Sequence, residues 1–321
     1  MVSNESQSRM NTSSNVDNPS SPFSYLSLTC NHSQSIWSSS YIYLGRAHPS
    51  HLWRMADPLR DSDQDEAKPA ESDQNQLDQY SQQLVQRLHD ELKDNLLAVH
   101  LFGSAGYSAY QPGISDVDVY AIIHEPIADY RHLSHIISHH SLPCPARKLE
   151  FVLFTKANAA RQAPDPKFEM NFNTGKGMED YINLDSHTEP RFWFLLDIAV
   201  GRELGKSIFG PPPDTLFAAP SSECVFDCMI ESLAWHRQNG PVDHNGILNA
   251  CRQLRYEKTS IWGSKKDGGD WVLEHYDHPN IVTLAMEARH SETQLPPDLG
   301  TDFLDFVEDE IKRDKVSDEQ G

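Results

Sequence analysis

Residues 101–120 read LFGSAGYSAYQPGISDVDVY, and this stretch constrains the chain more than any other. An apolar run over residues 96–102 stops at Gly103-Ser104, and a polar loop with Pro112-Gly113 follows. Asp116-Val117-Asp118 then opens a second apolar run, residues 117–123. The two runs predict strands joined by a loop. Side chains alternate along a strand, so Asp116 and Asp118 fall on one face. Two carboxylates on one face suit a hard cation such as Mg²⁺, which takes oxygen ligands and brings substrate phosphates with it. Gly-Ser alone or Asp-x-Asp alone is a weak signal. A surface loop with a capping aspartate explains one half of the pattern but not both.

A third carboxylate comes from Arg147-Lys148-Leu149-Glu150-Phe151-Val152-Leu153-Phe154, another strand-like run. An unpaired carboxylate is costly to bury. Glu150 is therefore either an edge-strand acid in water or a neighbour of the Asp116/Asp118 strand. In the second case it ligates a metal or takes the proton of an attacking hydroxyl.

The spacing of Gly103-Ser104 and Asp116-Val117-Asp118 resembles the signature of the nucleotidyltransferase superfamily with the polymerase-beta-like fold. Further blocks narrow the likeness. Gly103-Ser104-Ala105, Ser115-Asp116-Val117-Asp118 and Leu149-Glu150-Phe151-Val152 resemble the streptomycin/spectinomycin 3''-adenylyltransferases. So do Leu196-Asp197-Ile198-Ala199, Gly201-Arg202-Glu203, Phe209-Gly210-Pro211-Pro212, Leu248-Asn249-Ala250-Cys251-Arg252 and Ser264-Lys265-Lys266-Asp267-Gly268-Gly269-Asp270-Trp271. Together they span roughly residues 75–315. The resemblance implies an α+β protein: an N-terminal nucleotidyltransferase mixed sheet with flanking helices, followed by a C-terminal all-α helical bundle.

The resemblance also implies a chemistry and its residues. ATP lies in the cleft between the two parts, with the backbone at Gly103 and the hydroxyl of Ser104 against the triphosphate. Asp116, Asp118 and Glu150 hold two Mg²⁺ ions about 4 Å apart, as in-line phosphoryl displacement uses. Glu150 is the general base. Lys265, or Lys266 one residue on, reaches the triphosphate. Arg252 faces phosphate or pairs with a structural acid. Trp235 and Asp243 sit where the family holds a cationic aminocyclitol. A family tryptophan of the first domain has no counterpart, its region aligning with Asn173-Thr174-Gly175. The implied activity is ATP- and Mg-dependent O-adenylylation of a small, cationic acceptor such as an aminoglycoside, with release of pyrophosphate. Another metabolite, a protein acceptor and a nucleotide-binding scaffold without turnover are the alternatives.

Charge and cysteines fit that reading. The formal net charge is −20. Nucleic-acid enzymes usually carry a basic footprint, so a nucleic-acid partner is not expected. An acidic surface concentrates cationic small molecules. No run of eighteen apolar residues is present, so no membrane span is expected. Five scattered cysteines do not form a disulfide framework, which points to a reducing cytoplasm. Cys224 and Cys228, four apart in a helical pattern, read as helix-packing residues rather than a metal pair. A monomer is expected.

The chain divides into a Ser/Asn-rich and then acidic extension (1–72), a nucleotidyltransferase domain (73–184) and a helical domain (185–316) that closes on substrate and ATP. The extension buries too little apolar surface to offset its ordering entropy, and Met55 is an alternative start. A helix capped by Ser72 or Asp73 carries Leu77, Tyr80, Leu84, Val85, Leu88 and Leu92 at helical spacing. A second helix is expected over 128–140, its histidines reading as a solvated helix end, and residues 168–175 are expected near the cleft. Helices are then expected near 190–203, 222–238, 244–261, 265–275, 279–292 and 301–314. Gly205-Lys206-Ser207 is not a phosphate-binding loop, because position 200 is Val and a helix precedes it.

Overall fold

The computed structural model describes residues 71–277, 279–291 and 293–318. The extension before residue 71, with Met55 and Cys30, lies outside the described residues. The elements run α1 (Glu71–Leu92), β1 (Leu96–Leu101), α2 (Gly103–Gly106), β2 (Val117–Ile123), α3 (Tyr130–Ile137), β3 (Lys148–Thr155), α4 (Lys156–Ala159), β4 (Met170–Gly175) and β5 (Tyr181–Asn183). After these come α5 (Arg191–Leu204), β6 (Lys206–Phe209), α6 (Pro213–Leu216), α7 (Ser222–Gln238), α8 (His244–Thr259), α9 (Lys265–His275), α10 (Pro279–Ala288) and α11 (Pro297–Asp318). The result is a mixed sheet with flanking helices and a helical C-terminal region. None of the described helices is long and apolar enough to cross a membrane.

The sheet order is β5-β4-β3-β2-β1-β6. Only β2 and β3 are parallel neighbours; the other adjacent pairs are antiparallel. The alternation of the strands gives the sheet two distinct faces. Val117, Val119, Ala121 and Ile123 join Leu149, Phe151 and Leu153 under α1 and α3, where Leu77, Leu84, Leu88, Leu133 and Ile137 cover them. Tyr120 and Ile122 join Val152 and Phe154 on the opposite face, against Phe194 and Ile198 of α5 and Phe217. Asp118 and Glu150 share the parity of this second set. Burial of the first face therefore sends both carboxylates toward α5.

Helices α5, α7, α8, α9, α10 and α11 pack round a separate apolar core that includes Leu195, Met229, Leu248, Val272, Val282 and Leu304. Capping sets where they begin. Ser221 accepts from Cys224 N at α7, and Asp243 accepts from Gly246 N at α8. At α9, Ser264 and Asp267 form a reciprocal capping box. Such caps are each worth ~1 kcal/mol.

Some elements depart from the sequence reading. Gly103-Ser104, which ends the first apolar run, opens a one-turn helix before the polar loop. Residues 206–209 form a strand, which returns past residue 184 to pair with β1 at the sheet edge. Four residues are too few for periodicity to reveal a strand. Helix α10 stops at Ala288 and α11 begins at Pro297, ahead of the expected 301. Cys228 is buried and Cys224 half-buried on α7, and both are free thiols.

Candidate active site

The strand pair β2–β3 fixes the centre of the site. In their parallel register Asp118 lies directly beside Glu150. Gly103 approaches the same spot from α2. Its φ is +52°, and a Cβ placed there would come within 1.7 Å of Asp118 Oδ2. Glycine is thus required twice over, by backbone conformation and by space. The Phe102 amide donates to the Asp118 carbonyl at 2.9 Å, which ties α2 to β2.

The three acids differ in their surroundings. Asp118 is pushed well above the ordinary carboxylate range, first by burial and then by the neighbouring Glu150. Burial, the largest single influence, acts to raise Glu150, but the Lys148 ammonium, a hydrogen bond with Asp118 and the more distant Lys265 together outweigh it, and the net shift is downward. Two abutting carboxylates cannot both ionise freely. The opposite directions of the two shifts favour a proton on Asp118 over one on Glu150. Asp116 precedes β2 and is chelated by Arg147, whose Nε and Nη2 donate to its two oxygens at 2.9 and 2.6 Å.

Helix α5 supplies two side chains that sequence reasoning quoted or passed over without giving them a role. Asp197 accepts from the Tyr120 hydroxyl at 3.1 Å. Burial pushes its carboxyl up to about 6, against the opposing pull of Arg252. Its signal was present: a lone acid between Leu196 and Ile198 in an apolar helical run. Trp193, 38% exposed, stands edge-to-face with Trp235 of α7, ring centres 5.6 Å apart. No periodicity marked it, because an exposed aromatic breaks no pattern.

The remaining predicted residues come from α7 to α9. Lys265 opens α9 and donates to Asn245 Oδ1 at 2.8 Å. Burial, then the nearby Arg252 and Arg289, lower its ammonium to about 8. Arg252 donates from Nη2 to Asn249 Oδ1 at 3.2 Å, while its buried Nε lacks an acceptor among the described residues. Helices α8 and α9 meet closely at Gly268, where a Cβ would come within 2.6 Å of the Arg252 amide nitrogen. That approach brings Arg252 and Lys265 to one place. Lys266 turns instead to Asp270, 2.7 Å away along the helix.

These groups line one cavity of about 410 Å³. Gly103, Ser104, Asp116, Asp118, Glu150, Trp235, Arg252 and Lys265 all border it, as do Trp193 and Asp197. Asp243 does not: it is exposed and its carboxylate caps α8. Residues 168–175, expected near the cleft, include β4 and are also absent from the lining. Five Lys and Arg side chains face the cavity against four acids, although acids greatly outnumber bases in the whole chain. A local excess of cations with an unpartnered guanidinium nitrogen suits a polyphosphate.

The donor set also fits a divalent ion. Asp118 and Glu150 are hard oxygen donors, adjacent and mutually repelling, and a dication would relieve that repulsion in place of a proton. Among the described residues no three His, Cys, Asp or Glu side chains converge on a single metal position as they stand, and Asp116 is turned to Arg147.

No protein-family model matches the chain, and no curated protein matches it in sequence. Its fold, however, is shared with a solved structure. The structure is similar to that of the spectinomycin adenyltransferase AAD(9) from Enterococcus faecialis, solved with ATP and spectinomycin, with a TM-score of 0.57 and 19% identity. The match covers 73% of this chain and 98% of that one.

Proposed function

We propose that this chain is an ATP-dependent O-adenylyltransferase, moving AMP to a hydroxyl of a small, cationic acceptor of the aminoglycoside type and releasing pyrophosphate. The observation that carries the reading is the convergence on one cavity of a strand-registered Asp118–Glu150 pair, a glycine with no room for a side chain, and cations from α8 and α9. The triphosphate lies against Gly103 and Ser104, with Arg252 and Lys265 opposing its charge. Glu150, kept ionised by Lys148, takes the proton of the acceptor hydroxyl. The hydroxyl oxygen bonds to the α-phosphorus as the bond to the bridging oxygen breaks, and that oxygen leaves with pyrophosphate. Mg²⁺ held through Asp118, beside Glu150, would stabilise charge on the phosphates. Trp193 and Trp235 line the cavity, and a cation can rest on the face of such a ring. Trp193 thereby takes the part of the first-domain tryptophan that the sequence lacks.

Pyrophosphate release from ATP and Mg²⁺ tests this with streptomycin, spectinomycin and other aminoglycosides, for wild type and Glu150→Gln. Release dependent on one drug and reduced ~10²–10⁴-fold in the variant is the expected result. No release with any of them removes the aminoglycoside assignment. Labelled AMP on a protein band would instead identify a protein acceptor.

A further inference from the structure

Lys148 and Glu150 are two residues apart on β3, so both project to the face of the transfer centre. The Lys148 ammonium contacts Glu150 Oε1 and lies 3.8 Å from Asp116 Oδ2, with its side chain only 27% exposed. Arg147 meanwhile chelates both oxygens of Asp116. Two of the three carboxylates are therefore already matched by cations of the chain itself. A lysine ammonium is a compact point charge with three donors, able to bridge two carboxylates. It occupies a Glu150 oxygen that a second ion would need. At such range it repels any dication placed between the same two acids.

We propose that Lys148 supplies the second positive charge of the transfer centre, so that this chain works with one divalent ion, held through Asp118, instead of two. The proposal rests on the adenylyl-transfer reading above. Mn²⁺ bound to the full chain is counted by electron paramagnetic resonance in the presence of α,β-methylene-ATP, from which pyrophosphate cannot leave. Wild type is expected to hold one Mn²⁺ per chain with no spin coupling. Lys148→Met is expected to take up a second, coupled to the first, whereas Lys148→Arg stays at one. Two coupled ions in wild type overturn the proposal whether or not the variants fold, and so does a folded Lys148→Met that stays at one. Nucleotide retained without any ion overturns this proposal alone. Retention of neither nucleotide nor ion overturns the transfer reading with it.

Discussion

Asp116, Asp118 and Glu150 come from two neighbouring strands, whereas Arg252, Lys265 and Arg289 reach the same cavity from the helical C-terminal region. The strand side is acidic and fixed by backbone register, with Gly103 jammed against Asp118. The helical side is basic and aromatic, and it is placed by packing: the close approach at Gly268, the capping box of α9, and the Trp193–Trp235 contact. Each side holds its charges at a desolvation cost, visible in the raised Asp118 and Asp197 and the lowered Lys265. On the proposed function a metal–triphosphate complex would join the two, since the acids want a cation and the bases want phosphate. On that same function, the contrast gives chemistry to the strand side and binding to the helical side.

The sharpest way to break this division is at the strand side. Asp118→Asn should cut turnover by ~10²–10⁴-fold, of the order seen when a central acid–base group is lost, while chain stability measured by denaturant unfolding is unchanged or improved, because a repelling carboxylate is gone. A large loss of stability instead would make Asp118 a structural residue. Gly103→Ala comes next: it forces a side chain into Asp118 at a left-handed backbone position, which costs about 1–3 kcal/mol. Both the melting temperature and turnover should fall, whereas a clash-free Gly113→Ala, at a glycine with no neighbour to meet, should spare turnover.

On the helical side the expected effects fall on binding. Lys265 must be charged to hold phosphate, and its ammonium in the free site titrates at about 8. Bound phosphate raises that value, so affinity for the ATP analogue is flat below about 8 and falls by up to about tenfold per pH unit above it. Calorimetric titrations at about pH 7 and about pH 9 measure this; Lys265→Arg should remove the alkaline fall. A wild-type affinity unaffected by pH would separate Lys265 from the triphosphate. Asp197 gives a readout in stability rather than affinity. Its folded value of about 6 lies above the ordinary carboxylate range. Its contribution is therefore full below that range and lost as pH rises through about 6. Asp197→Asn should gain stability relative to wild type across that window in thermal melts, and a constant difference would contradict the raised value. The smallest effect is expected of Trp193→Ala: a rise in acceptor KM from about twofold to about thirtyfold, the worth of a cation–π contact of roughly 0.5–2 kcal/mol, with nucleotide affinity unchanged.

The strand side was legible in the sequence because its logic is local. Gly103-Ser104, Asp116-Val117-Asp118 and Glu150 sit in or beside short apolar runs, and alternation puts Asp116 and Asp118 on one face, while the pairing of β2 with β3 sets Glu150 beside Asp118. The major helices were legible for the same reason, from apolar spacing and capping residues such as Ser264. Strand β6 was not, because four residues carry too little pattern and its pairing partner lies more than a hundred residues earlier. Asp243 illustrates the converse: its place in the chain suggested acceptor binding, but the carboxylate is engaged by the α8 amide of Gly246.

The sequence by itself determined the chemical types at the centre and the period of the elements carrying them, since both depend on residues close in the chain. Only the tertiary structure decided which distant side chains share the cavity. Asp197 meets Tyr120 across the α5–sheet interface, Trp193 meets Trp235 between two helices, and Arg147 and Lys148 fold onto Asp116 and Glu150. Those meetings follow from interdigitating cores and from charges that, once desolvated, must find a partner within a few ångströms. No spacing along the chain encodes that.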